Sequence, residues 1–356
     1  MQDEETVHTE SADASRSGSH HRHDSEVSVG SGLPPVSVVV AAHNEAETIA
    51  PLLASLGAQT HPDVEVIVVN DASTDGTAQV LNDWAADEPD RHVLARDGDD
   101  APGKKSALAH GVSEASHDLF LFTDADCVPS PSWCERMAQI HETAGAPAAV
   151  VGYSPFSRER SLLNLWARYE TMLTGALTAA TAAIGHPYMA VGRNLSVHRG
   201  VYAQVRGTER GDELLSGDDD LFIQAVHRAG APVLPTVDPD TFVETRAPSS
   251  WRSWVQQKRR HVSAGRAYDA VPATHLALYH GSHIALWIAP LVLGTLGIGL
   301  LATRLLVHSL VSSRAAEAFD ELDLAAFFPV GEALLALYHV VLVPLGLLRP
   351  PDTWKR

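Results

Sequence analysis

A chain of 356 residues with 45% hydrophobic content holds enough apolar material for one large core or two smaller ones, and for membrane segments besides. Its 44 acidic against 26 basic residues, a formal net charge of -18, argue against the basic face that a nucleic acid backbone requires, so no nucleic acid partner is expected. Its two cysteines, Cys127 and Cys134, are too few for a disulfide framework or a zinc site and read as packing residues in a reducing compartment.

Residues 1–34 are rich in Ser, Asp, Glu and His and nearly free of apolar periodicity, which predicts a disordered acidic tail. The patch His20-His21-Arg22-His23 reads as a solvated part of it. No positively charged start is followed by an apolar run, so no cleavable signal peptide is expected and the next domain should stay in the cytoplasm. From Val36 the pattern alternates. Short β-rich runs at 36–42, 64–69, 92–95 and 119–122 are separated by helical stretches at 45–56, 77–84 and 106–113. Strands alternating with helices of this length predict an α/β fold with a mainly parallel sheet and flanking helices. Further on, Leu162, Leu165, Trp166, Tyr169, Leu173, Ala176 and Leu177 share one helical face, which fits either a core-facing helix or one lying in a membrane interface. Residues 284–301 are uncharged and mainly apolar, and with 275–283 they are long enough to span a bilayer. A second candidate, 325–348, contains Glu332 and His339, and Glu332 should face protein or an interface because a carboxylate in lipid costs a few kcal/mol.

Three acidic clusters punctuate this pattern: Asn70-Asp71, Asp124-Ala125-Asp126 and Asp218-Asp219-Asp220. The first two follow apolar runs, which places carboxylates at the carboxyl ends of parallel strands, where open α/β sheets collect ligands. That much negative charge at one edge calls for a cation, and two carboxylates can accept a diphosphate only through a hard cation such as Mg2+ or Mn2+.

In order along the chain, these motifs resemble those of the family 2 glycosyltransferases, whose fold is the GT-A nucleotide-diphospho-sugar transferase type. Val38 to Glu45 looks like the family's first strand with its Asn44-Glu45 turn, and 70–77 looks like the second-strand motif whose Asp, here Asp71, contacts the nucleotide. Gly103-Lys104 with Gly111 is similar to the following Gly-Lys segment, with Ala109 where the family usually has Asn. Asp124-Ala125-Asp126 resembles the DXD motif, which implies Asp124 and Asp126 as metal ligands and Asp124 as a donor contact. Gly192-Arg193-Asn194 resembles the loop beneath donor sugar and acceptor. Ser216 to Leu221 resembles the motif that carries the base, implying Asp219 with Asp218 as its acidic neighbour. Gln257-Lys258-Arg259-Arg260-His261 is similar to the Gln-x-x-Arg-Trp motif, with His261 in place of Trp. That likeness implies Gln257 and Arg260 on the donor and Arg193, Asn194 and His261 on the acceptor side.

The resemblance implies a catalytic domain at 35–270 and a membrane region at 271–356, with transmembrane helices at about 276–302 and 325–348. It implies inverting transfer of a sugar from a nucleotide-diphosphate sugar to a lipid or glycan acceptor at the cytoplasmic membrane face. Membrane lipids are the further partner. Two other readings compete with it. A dinucleotide-dependent oxidoreductase lacks the expected Gly-x-Gly-x-x-Gly after the first strand, and an inactive scaffold would have no need of the acidic set. Arg259, Arg260 and Arg266 before the first span and Arg349, Lys355 and Arg356 after the second predict both termini in the cytoplasm and 303–323 outside. The smaller stacking face of His261 predicts transfer of one or a few sugars per encounter.

Overall fold

The computed structural model describes residues 32–96, 103–208 and 218–349; the tail at 1–31 with its histidine patch, Ser216-Gly217, Lys355 and Arg356 lie outside the described residues. From Leu33 on, the chain forms one compact unit. It opens with β1 (Val36–Ala42), α1 (Ala50–Gly57), β2 (Val64–Asp71), α2 (Thr77–Ala85), β3 (Arg91–Arg96), α3 (Lys104–Glu114) and β4 (Leu119–Asp124). β5 (Cys127–Pro129), α4 (Trp133–Ala144), β6 (Ala149–Val151), α5 (Leu162–Ala183), β7 (Leu195–His198) and α6 (Arg199–Val205) follow. After α7 (Asp218–Arg228) come β8 (Val233–Pro235), β9 (Val243–Thr245) and α8 (Trp251–Ser263).

Seven strands make one sheet in the order β3-β2-β1-β4-β7-β6-β8, and β5 pairs with β9 in a separate ribbon. β3, β2, β1 and β4 run parallel, whereas β7 is antiparallel to both β4 and β6. The Val-rich runs of β1 and β2 are buried on both faces, as covered parallel strands must be. One face packs on α1 and α4 through Leu52, Leu56, Trp133 and Met137, the other on α3 and α7 through Val112 and Ile223. Gly111 lets α3 lie close on the sheet, since a Cβ there would stand 2.6 Å from Val39 Cγ1. Register then fixes the site: Ala41 pairs with Asp124 and Ala42 with Asn70, so Asp71 and Asp124 flank the end of β1.

α5 is the core-facing helix of the two alternatives. Leu163, Trp166, Ala167 and Met172 bury against a cluster that includes Tyr153, Phe242 and Trp254. The same cluster takes in residues of the carboxyl-terminal helices, Phe319, Leu335 and Leu342 among them.

Those helices differ from the expected pair. Three are long and apolar enough to cross a membrane: α9 (Ala270–Leu293), α10 (Thr295–Ala318), and a third running from Phe328 to Leu348 as α11 (Phe328–Leu337), a π turn at Tyr338–Leu342 and α12 (Val343–Leu348). The stretch expected as one helix over 276–302 breaks at Gly294, which adopts φ +57°. Gly297 then lets α10 fold back on α9, because a Cβ there would stand 2.0 Å from the Ala289 carbonyl oxygen. Nor does the end of the 303–323 segment stand apart from the catalytic domain. Phe319, just past α10, packs its ring 4.2 Å from that of Tyr153, and Arg168 of α5 holds both Glu321 and Asp323. Two acids of this segment, Glu321 and Asp323, are thus ligands of a buried arginine.

Arg168 and Glu321 are each 2% exposed, so removing one partner strands a buried charge. Arg168→Ala is expected to destabilise the protein by about 3–5 kcal/mol. Denaturant unfolding of the detergent-solubilised full chain, beside an Arg168→Met/Glu321→Leu double variant that recovers part of the loss, checks this.

Candidate active site

One cavity of about 1430 Å³ opens at the carboxyl ends of β1, β2 and β4 and is closed by the 189–193 loop, α7 and α8. Glu45, Asp71, Lys104, Asp124, Asp126 and Arg193 all line it, as do Asp218, Asp219, Gln257, Arg260 and His261. Two expected residues are placed differently. Asn44, at φ +57°, braces the 70–77 turn: its Oδ1 accepts from Thr74 N at 2.8 Å and its own N–H donates to Ser73 Oγ at 3.0 Å. Asn194 moves from the acceptor side to the core, fully buried, where its amide donates to the Tyr153 and Thr241 carbonyls and its oxygen accepts from Trp133 Nε1. It ties three loops beneath the cavity without lining it.

On the donor side, Asp71 ends β2 buried, with Oδ1 2.9 Å from Arg96 Nη1 and Oδ2 accepting from Gly103 N at 2.7 Å. Arg96 was not singled out from the sequence, although it stands in register with Asp71 at the end of the neighbouring strand. Asp124 ends β4, and Lys104 Nζ donates to its Oδ1 at 2.5 Å. The lysine and other nearby cations hold the Asp124 carboxyl below the ordinary range against the opposing effect of burial.

One turn on, Asp126 presents its carboxylate so that ligand atoms of Asp124, Asp126 and Cys127 lie within 4.8 Å of one another. Burial pushes the Cys127 thiol up to about 12, so it stays protonated and a poor ligand. The two carboxylates make an all-oxygen donor set suited to Mg2+ or Mn2+, and the Lys104 ammonium already held by Asp124 shows that this edge attracts a cation.

Across the cavity, Asp219 stands in the first turn of α7, and Gly192 N donates to its Oδ2 at 3.0 Å. Only glycine fits at 192, since a Cβ would come within 2.4 Å of that carboxylate. Burial, together with the charge of Asp124, raises the Asp219 pKa above the ordinary carboxylate value, with Lys104, Gly192 and Arg193 opposing. Next to it, buried Asp220 accepts a hydrogen bond from the Tyr268 hydroxyl at 2.5 Å. Burial and the charges of its two acidic neighbours push Asp220 up to about 7, while the Tyr268 bond opposes the rise. Sequence reasoning missed Tyr268, and nothing in its local pattern announces that pairing.

On the acceptor side, Arg193 donates to Ser154 Oγ at 2.6 Å and lies over the Phe156 ring. α8 supplies Gln257, Arg260 and His261, and its buried Lys258 pairs with Glu170 of α5. Desolvation at the cavity wall lowers the His261 pKa below the usual imidazole value, helped by the cations Lys258, Arg260, Arg193 and Lys104. The ring is therefore neutral at physiological pH.

Residues 37–199 match the sequence model described as Glycosyl transferase family 2. The chain carries a family 2 glycosyltransferase domain. The match covers the strand-end carboxylates and the 192–194 loop but ends before α7 and α8, whose roles rest on geometry. Among curated relatives, the probable glycosyltransferase YdaM of Bacillus subtilis is 27% identical over 239 residues, 64% of this chain and 54% of that protein. The undecaprenyl-phosphate 4-deoxy-4-formamido-L-arabinose transferase of Photorhabdus laumondii is 32% identical over 152 residues, 42% of this chain and 45% of that one. The chain spans about half the length of these relatives.

The solved mannosyltransferase PcManGT from Pyrobaculum calidifontis, in complex with GDP-Man and Mn2+, is similar with a TM-score of 0.54 at 21% identity, over 86% of this chain and 88% of that one. Likeness at that identity shows a shared fold, and the fold of this glycosyltransferase domain is GT-A. These findings displace the dinucleotide-dependent oxidoreductase reading.

A carboxyl whose folded pKa is raised binds its proton more tightly folded than unfolded, so its ionisation lowers stability as pH climbs from the ordinary carboxylate range through the raised value. For Asp220 that window ends at about 7. Asp220→Asn, which keeps the shape without the charge, is expected to melt above the parent at about pH 8 and level with it near pH 4. Paired thermal melts across that range check it.

Proposed function

We propose that the protein is an inverting glycosyltransferase that moves a sugar from a nucleotide-diphosphate sugar to a lipid or glycan acceptor at the cytoplasmic face of a membrane. The observation that carries this reading is the placement of Asp219, a carboxylate with a raised pKa, in the wall of the cavity that also holds the Asp124–Asp126 pair. Asp71 and the turn braced by Asn44 would receive the nucleoside. Asp124 and Asp126 would hold Mg2+ or Mn2+, which when bound supplies Lewis-acid neutralisation of the leaving diphosphate. Lys104 and Arg260, both in the cavity lining, would take the remaining phosphate charge, the guanidinium forking onto two oxygens.

Asp219 would remove the acceptor hydroxyl proton as that oxygen bonds to the anomeric carbon. The bond from that carbon to the diphosphate breaks, and its electron pair leaves with the diphosphate. A single displacement inverts the anomeric centre. Because a base must be unprotonated to act, activity should rise with pH through a value above the ordinary carboxylate range. Arg193 and neutral His261 would contact the acceptor, and the small imidazole face supports release after one or a few additions.

The α9–α10 hairpin supports the membrane reading. Leu291, Val292, Leu296 and Ile298 around its tip are exposed and apolar, whereas Arg259, Arg260 and Arg266 precede it, as the cytoplasmic flank of a membrane helix does.

Asp219→Asn is expected to bind donor as the parent does and to lose a factor of about 10²–10⁴ in turnover. Single-turnover transfer measured beside equilibrium donor binding checks this. Near-parent turnover would move the base to Asp218 or Asp220.

A further inference from the structure

The helix from Phe328 to Leu348 is 21 residues long, about 30 Å at 1.5 Å per residue, the thickness of a bilayer's hydrocarbon core. By length and composition it is a third span. Its contacts say otherwise, because it touches the catalytic domain at both ends and in the middle. Near its start, Gly331 packs on the Tyr169 ring of α5 so closely that a Cβ would stand 2.6 Å from it. At its midpoint, the Tyr338 ring lies 6.5 Å from Trp166 of α5 and 6.0 Å from Trp254 of α8. At its end, Gly346 packs on Val262 of α8, and Arg259 of α8 donates to the Arg349 carbonyl at 2.6 Å.

α5 and α8 belong to the catalytic domain; α5 packs on Tyr153 and Phe242, and α8 lines the cavity. A helix crossing the bilayer could touch that domain at one end only.

The sequence of this helix divides into three stripes. Gly331, Leu335, Tyr338, Leu342 and Gly346 belong to the face on α5 and α8. Glu332 and His339, seven apart, meet the hairpin: Arg304 of α10 donates to Glu332 at 2.6 Å, and His339 Nδ1 lies 3.0 Å from His283 Nδ1 of α9. Val330, Leu337, Val341 and Leu348, at spacings of seven, four and seven, share a third face, and all are exposed, Leu337 at 59% and Leu348 at 81%. That exposed face carries no charge and lies on the side of the helix away from Glu332 and His339. A helix with one apolar face outward and its other faces on protein lies along a bilayer surface with that face in the acyl boundary.

We infer that Phe328–Leu348 does not cross the membrane but lies in its plane, with Val330, Leu337, Val341 and Leu348 seated in the phospholipid headgroup and acyl boundary. It wedges the catalytic domain against the base of the hairpin. Only α9 and α10 enter deeper, and the chain emerges at Arg349 on the side of the catalytic domain. The paired Arg304 and Glu332 then sit at interface depth, where ion pairing is far less costly than at the bilayer centre.

The inference rests on the membrane reading above, and its test separates the two. Single cysteines replace Val330, Leu337, Val341 or Leu348 in the full chain, with Leu291→Cys and Leu296→Cys as hairpin controls. Each variant is labelled with a polarity-sensitive fluorophore and reconstituted in phosphatidylethanolamine–phosphatidylglycerol vesicles. The parent chain, whose Cys127 and Cys134 are buried, gives the background. Nitroxides held at the headgroup or deep in the acyl chains then report depth. The expected result is equal shallow quenching at all four helix positions, within about twofold, with the hairpin controls quenched most by the deep probe. Deep quenching at Leu337 and Val341 with shallow quenching at Val330 and Leu348, on opposite sides of the vesicle, would overturn the in-plane helix. So would controls quenched by lipid while the four positions stay unquenched. Controls unquenched by any lipid probe would overturn the membrane reading itself.

Discussion

Negative charge at the carboxyl edge of the sheet is the constraint on which this structure turns. Asp71, Asp124, Asp126, Asp219 and Asp220 face one cavity, and carboxylates so close cannot all ionise in a low dielectric without cations or shared protons. The chain answers each differently. Arg96 clamps Asp71 from the neighbouring strand, and Lys104 neutralises Asp124 from the start of α3. Asp220 keeps its proton up to about 7, and Asp219 is left with a raised pKa and a single backbone donor. On the proposed function, a diphosphate entering this edge would meet repulsion unless a divalent cation entered with it, so the charge problem would also be the recognition chemistry.

Contacts of the same acidic turn and its helix bind α7 to the root of the α9–α10 hairpin. α7 is held along one face at successive turns. Asp220 accepts from Tyr268, Gln224 accepts from Asp269 N at 2.8 Å, and Arg228 Nη1 pairs with Asp269 at 2.5 Å. Tyr268 and Asp269 immediately precede α9. Asp219, one residue before Asp220, is thus positioned by contacts made where the chain enters α9. On the proposed function, seating of the hairpin and alignment of the base would share this one set of hydrogen bonds.

Much of this was legible in the sequence because strand ends are local events. An apolar run closing in Asp announces both the strand and its carboxylate, and Asp71 and Asp124 line the cavity accordingly. Asn44 and Asn194 belong to the right loops, yet their amides turn to the turn backbone and the core, because buried loop carbonyls need donors and these side chains supply them. Arg96 and Tyr268 were invisible for the opposite reason: their partners lie 25 and 48 residues away, and only register or packing brings them together. The membrane helices misled because hydropathy has no term for direction. It registers the apolar length of 276–302 but neither the reversal at Gly294 nor the hold of Arg168 on Glu321 and Asp323.

The central claim is that Asp124 and Asp126 read the donor diphosphate through a divalent cation. Thermal shift of the detergent-solubilised full chain against a panel of nucleoside diphosphate sugars, each with Mn2+ or with EDTA, tests it most directly. The account predicts stabilisation by at least one donor in Mn2+, its loss in EDTA and in Asp126→Ala, and its retention in Asp219→Asn. Donor stabilisation undiminished by EDTA and unchanged in Asp126→Ala would contradict it.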